Sequence, residues 1–172
     1  RRYAPAYDVT LDDYLDLCVE NSVEGALLVQ PSFLADNNHY LLTVLDEIRE
    51  RDLPFCARGV ITVEPNQSYD FRGLSEKGVI GIRFNLVGKE SSFRIEDYCR
   101  IISESKDFGY HIELYCSNPW IVRLAKQLNC EGSQVVIDHF GMPDETNISQ
   151  SQIFHLDVLS TSPVIKASAP YR

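Results

Sequence analysis

Polar and ionisable side chains in this sequence collect where short apolar runs stop. Gln30 and Ser32 follow Ala26-Leu27-Leu28-Val29, and Arg83 and Asn85 close Val-Ile-Gly-Ile-Arg-Phe-Asn. Arg58, Glu113 and Tyr115 fall in two further runs, and Asp138 and His139 close Val-Val-Ile-Asp-His. Lys166, Ser168, Tyr171 and Arg172 lie at the end of the sequence. A guanidinium closing an apolar strand needs an anionic partner, because an unpaired buried charge is costly. For Arg83 that partner is either a neighbouring carboxylate such as Glu113 or the carboxylate of a bound molecule, gripped by two parallel N–H bonds.

His139 admits two readings. A lone histidine at a strand tip is commonly a hydrogen-bonded structural residue, whereas the following Phe-Gly turn suits catalysis or ligation. Strand alternation places Val135, Ile137 and His139 on one face and Asp138 on the other. Glu113 and Tyr115 share a face with His111, as an internal polar layer or as part of a site. His39 and His155 fall in helical stretches and receive no role. No His-x-His or HExxH occurs, and a zinc site needs three or four ligands, so the residues alone give no support for a metal. No GxSxG elbow is present for a serine hydrolase.

The elements that must position these residues alternate along the chain. Thr10 and Asp13 form a near capping box before Leu11, Tyr14, Leu15 and Cys18 repeat at helical spacing. Leu41, Leu42, Leu45 and Ile48 mark a second helix, with Arg49 and Arg51 at its C-terminal end. Strands are expected at residues 26–29, 55–63, 79–85, 111–116, 134–139 and 164–168. Helices are expected around Leu74 and over 95–105, 119–128 and 148–154, with Asn118 capping the third and Pro119 in its first turn. Short apolar strands, each followed by a helix, imply a parallel sheet covered by helices. The two architectures are a closed (β/α)₈ barrel and an open doubly wound sheet. No GxGxxG or P-loop follows a strand, which weakens the nucleotide-binding form of the second.

The 172 residues are 44% hydrophobic and 24% charged, a globular composition. A whole barrel needs about 250 residues, so the expectation is one incomplete barrel domain over 1–172, lacking two strands. The net charge of −9 comes without a basic stripe, which argues against nucleic acid. No apolar run reaches the ~18 residues of a membrane helix. Five widely spaced cysteines, at 18, 56, 99, 116 and 130, suit neither a disulfide framework nor structural zinc, and read as buried thiols in a reducing cytoplasm.

Four segments occur in order: Leu-Val-Gln-Pro-Ser-Phe-Leu (28–34) with Asp36-Asn37, Gly-Val-Ile-Gly-Ile-Arg-Phe-Asn-Leu (78–86), Val-Ile-Asp-His-Phe-Gly-Met-Pro-Asp (136–144) and Lys-Ala-Ser-Ala-Pro-Tyr-Arg (166–172). Together they resemble the amidohydrolase-related barrel hydrolases, on the lactonase branch that acts on 2-pyrone-4,6-dicarboxylate. The resemblance implies that Arg83 on barrel strand four and Arg172 after strand seven bind a substrate carboxylate. It implies that His139, after strand six, lines the reacting carbonyl. Tyr3, Tyr115 and Gln30 complete the expected substrate contacts. Arg83 and Tyr115 stand where metal-dependent members carry a lysine or glutamate and a histidine, which implies no metal and no other cofactor. Met142 replaces a usual arginine, implying a less negatively charged substrate.

The family's strand-one His-x-His is expected before Arg1, and its strand-eight aspartate, the base for the attacking water, after Arg172. The sequence reading is therefore a cytoplasmic, metal-independent lactone hydrolase, with the isolated segment nearly inactive. Its partner would be a small carboxylate-bearing molecule, with no nucleic acid and no membrane. The rivals are a metal-dependent hydrolase or decarboxylase on the same barrel, and a non-catalytic barrel that binds a small acid or a partner through open strand edges.

Overall fold

A computed structural model of the chain describes residues 7–130, 132–142 and 163–168. Six strands run in the order β1 (Gly25–Val29), β2 (Cys56–Ile61), β3 (Val79–Asn85), β4 (His111–Tyr115), β5 (Val135–Ile137) and β6 (Val164–Ile165). Each pairs in parallel with the next. A doubly wound sheet reverses its strand order at a switch point, whereas a barrel keeps sequence order around the wall. The unbroken order here is that of a barrel arc. It removes the open-sheet alternative.

The helices lie between strands because their apolar faces have nowhere else to go. They are α1 (Leu11–Glu20), α2 (His39–Glu50), α3 (Phe71–Glu76), α4 (Cys99–Lys106) and α5 (Asn118–Cys130). Thr10 and Asp13 close the expected capping box on α1, with Asp13 N donating to Thr10 Oγ1 (3.1 Å) and Thr10 N to Asp13 Oδ2 (2.9 Å). On α2, Leu41, Leu45 and Ile48 are buried. This helix packs closely on β2 because residue 59 is glycine: a Cβ there would lie 2.7 Å from Leu45 Cδ1. Asn38, just before α2, fastens the end of β2 by accepting from Thr62 N (3.0 Å) and donating to Thr62 O (2.8 Å).

Alternation along the strands separates two faces. Ile82, Phe84, Ile112, Leu114, Val135 and Ile137 join the core beneath the helices. Fully burying one such side chain contributes about 1.5–3 kcal/mol. The intervening residues Arg83, Glu113 and Val136, neighbours in register, face the inside of the arc. Gly81 faces it too: a Cβ there would lie 2.6 Å from the His111 ring.

Several boundaries differ from the sequence expectation, among them the ends of β2, at Ile61 instead of residue 63, and of β6, at Ile165 instead of residue 168. Residues 95–98 form a 3₁₀ turn, with α4 starting at Cys99. Asn118 is the first residue of α5, and its amide reaches Gly141 O (3.4 Å). β5 stops at Ile137, because His139 (φ 51°) and Phe140 (φ 55°) enter the left-handed region. His139 thus leaves the strand, and the expected alternation of Ile137 with His139 ends there. The helix expected over 148–154 lies outside the described residues. No helix among the described residues is long and apolar enough to cross a membrane.

Candidate active site

Four charged side chains from β3, β4 and the ends of β5 and β6 meet inside the arc. Asp138 Oδ2 accepts from Arg83 Nε (2.9 Å) and Nη2 (2.6 Å). Its other oxygen, Oδ1, lies 3.1 Å from Lys166 Nζ. Lys166 Nζ also lies 2.5 Å from Glu113 Oε1, and Glu113 Oε2 faces Arg83 Nε at 3.9 Å. The result is a closed loop of alternating sign: Arg83, Asp138, Lys166, Glu113.

The loop explains how a fully buried glutamate is tolerated. The Glu113 side chain is 0% exposed and the Arg83 side chain 10%. An isolated buried charge would cost several kcal/mol, and here each carboxylate faces two cations. Glu113 Oε2 has no hydrogen-bond partner, since 3.9 Å is ion-pair contact only. His111 Nε2 lies 3.4 Å from Glu113 Oε1, on the same inward face of β4.

Above the loop, aromatic contacts link Arg83 to His139. The Arg83 guanidinium carbon lies 5.1 Å from the centroid of the Tyr115 ring. Tyr115 meets the His139 ring edge-on, with centroids 5.0 Å apart and planes at 88°. His139 Nδ1 is 2.9 Å from Ser168 Oγ, so the imidazole is held from two directions. Its backbone is strained as well. His139, Phe140 and Met142 all have φ between 49° and 55°, each costing on the order of 1–3 kcal/mol for a non-glycine residue, the kind of strain that clusters at functional sites.

The structure therefore brings Arg83, Tyr115 and His139 together at the C-terminal ends of neighbouring strands, where barrel chemistry collects. Gln30 is placed differently. It is fully buried, and its Nε2 donates to Asn37 O (2.6 Å), so it fastens the β1–α2 loop instead of entering the arc. Tyr3 and Arg172 lie outside the described residues. Of the two partners considered for Arg83, Glu113 is the more distant, and Asp138 makes the direct bonds. Lys166 and Asp138 carried no role in the sequence reading. The signal available was parity: each lies two residues beyond Val164 or Val136, which pair in register.

Among the described residues no group of three His, Cys, Asp or Glu side chains is arranged to hold a metal ion. His111, Glu113 and Asp138 supply suitable donor types. The Lys166 ammonium already occupies the space between the two carboxylates.

No family model matches the chain. A 2-pyrone-4,6-dicarboxylate hydrolase of Comamonas testosteroni is 32% identical over 102 residues, covering 58% of this chain and 33% of that protein. The structure of a candidate 2-pyrone-4,6-dicarboxylic acid hydrolase from Pseudomonas putida superimposes with a TM-score of 0.85 at 32% identity, covering all of this chain and 63% of that one. A similar candidate hydrolase from Acinetobacter baumannii, with citric acid bound, gives 0.81 at 27% identity over 99% of this chain and 64% of that one. A zinc-bound amidohydrolase from Burkholderia multivorans shares the fold alone, with a TM-score of 0.65 at 16% identity, over 95% of this chain and 60% of that one. The chain thus spans under two thirds of the length of each protein it matches. Its strand order and these likenesses agree: the chain has the fold of the amidohydrolase barrels and is similar in sequence and structure to the 2-pyrone-4,6-dicarboxylate hydrolases.

Proposed function

We propose that this chain forms the wall of strands two to seven, within a single barrel domain, of a hydrolase that opens a carboxylate-bearing lactone by water attack. The observation that carries the reading is the contact series Arg83–Tyr115–His139, which puts a cation and an imidazole against the same ring. A planar substrate lying over Tyr115 would present its carboxylate to Arg83 and its ester carbonyl to His139. Arg83 Nη1 makes no hydrogen bond among the described residues, which leaves one edge of the guanidinium for a carboxylate oxygen. His139 would donate a hydrogen bond to the carbonyl oxygen as it becomes anionic. Citric acid on the Acinetobacter protein supports a small carboxylate as the ligand class. By resemblance, Tyr3 and Arg172 add contacts, and the base is an aspartate on a further strand of the whole protein.

The reaction is proposed to run without a metal. Lys166 supports this, because its ammonium neutralises the two carboxylates that a divalent cation would otherwise engage. The free cysteines Cys18, Cys56, Cys99 and Cys116 fit a reducing cytoplasm.

The test is hydrolysis by the whole protein of 2-pyrone-4,6-dicarboxylate and of its uncharged dimethyl ester, with and without a chelator. Hydrolysis of the dicarboxylate, poor turnover of the ester and indifference to the chelator are expected. No turnover of any lactone carboxylate would overturn the activity, and loss of turnover with chelator would overturn its metal independence.

A further inference from the structure

We propose that Lys166 is a positioning residue that keeps one edge of the Arg83 guanidinium open, an inference that rests on the reading of Arg83 as the carboxylate-binding cation. The argument begins with Asp138, whose two oxygens have different partners. Oδ1 lies 3.1 Å from Lys166 Nζ, and Oδ2 receives both Arg83 Nε and Nη2. A carboxylate beside a guanidinium prefers the fork arrangement, with each oxygen taking a separate N–H. Asp138 is held out of that arrangement because Lys166 retains one oxygen.

Glu113 is divided in the same way. Oε1 is 2.5 Å from Lys166 Nζ, whereas Oε2 stays 3.9 Å from Arg83 Nε, too far for a hydrogen bond. The ammonium therefore holds one oxygen of each carboxylate, Asp138 Oδ1 and Glu113 Oε1, on the β6 side. Without it, two buried carboxylates would compete for a single guanidinium. Asp138 would be free to fork across Nε and Nη2, and Glu113, excluded from Nε, would turn to Nη1 and cover it from within the protein. An incoming substrate carboxylate would then have to displace an internal one.

Position and exposure suit Lys166 to this work. Its backbone is tied on both sides, with N donating to Ile137 O (2.9 Å) and O accepting from Phe140 N (3.0 Å). Its side chain is 23% exposed while the two carboxylates are almost completely buried, so it covers the loop from the open side of the arc. Nothing about Lys166 requires it to touch substrate. Its effect passes through Asp138 and Glu113 to Arg83.

The experiment uses the whole protein with Lys166→Met, Lys166→Arg and Arg83→Met, read by ¹⁵N NMR of the Arg83 side chain and by kinetics on 2-pyrone-4,6-dicarboxylate. With Lys166→Met, the Arg83 Nε–H signal should shift and KM should rise about tenfold, with kcat changed less than about twofold. Lys166→Arg, which restores the charge, should return both readouts most of the way. An unchanged Arg83 signal and unchanged KM in Lys166→Met, beside a lowered melting temperature, would overturn the inference and leave Lys166 a stabilising residue only. Failure of the native protein to turn over any lactone carboxylate would instead overturn the activity. In that case the Arg83 signal still decides whether Lys166 sets the guanidinium.

Discussion

Asp138 presents one oxygen to two nitrogens of Arg83, at 2.9 and 2.6 Å, across the space between the ends of β3 and β5. The pair is almost fully buried, so its two charges depend on each other. Asp138→Ala would leave Arg83 and Lys166 facing Glu113 alone, and breaking a buried pair by removing one partner costs roughly 3–5 kcal/mol. Urea unfolding of the whole protein should show a loss of that order. A change below about 1 kcal/mol would mean that the pair is solvated in solution.

Gly81 leaves room for His111, because a Cβ at residue 81 would lie 2.6 Å from both Cε1 and Nε2 of that ring. Gly81→Ala should push His111 away from Glu113 and destabilise the fold by about 1–3 kcal/mol, as overpacking does. The double variant Gly81→Ala/His111→Ala should regain stability relative to Gly81→Ala. Additive losses in that cycle would refute the contact.

The capping box on α1 gives a sign for one pH effect. The Thr10 hydroxyl and then its backbone N–H hold the Asp13 carboxyl below its ordinary value of 3.8. A depressed folded value adds stability that is present above the unfolded pKa and is lost as pH falls through the folded one. Asp13→Asn should therefore lower the melting temperature at pH 7 but narrow its difference from wild type below about pH 3. A difference that stays constant down to pH 2 would contradict the assignment.

Cysteine reactivity should divide by burial. Cys56 and Cys99 are exposed, whereas Cys116 is buried and its thiol is pushed up to about 12, first by desolvation and then by the charge of Glu90. Brief iodoacetamide treatment followed by peptide mapping should modify Cys56 and Cys99 well before Cys116. Early labelling of Cys116 would show that the end of β4 opens in solution.

Much of this architecture could be read from the sequence, for physical reasons that also explain what could not. The apolar runs ending in Arg83 and Tyr115 are long enough to fix both strand type and inward face, and β3 has the bounds expected for it. Thr10 and Asp13 announced the start of α1 through local hydrogen bonds. Strand alternation alone puts His139 on β5, but the strand stops two residues earlier, at Ile137. The left-handed backbone of His139 belongs to a turn that depends on the bond between Phe140 N and Lys166 O, a contact across 26 residues. The charge loop was hidden for the same reason. Arg83, Glu113, Asp138 and Lys166 come from four strand regions, and only the register between strands reveals that they meet. Gln30 shows the converse, since the side-chain nitrogen of a polar residue at a strand end is taken up by its own loop.

The most direct test of the account separates the roles of Arg83 and His139 by steady-state hydrolysis of 2-pyrone-4,6-dicarboxylate. Arg83→Met should raise KM by roughly ten- to a hundredfold, the worth of a charge-assisted hydrogen bond of about 1.5–3 kcal/mol. His139→Asn should lower kcat by about 10²–10³-fold with a smaller effect on KM, as loss of a donor to the developing oxyanion does. If both variants retain native kcat and KM, the Arg83–Tyr115–His139 face is not where the lactone binds.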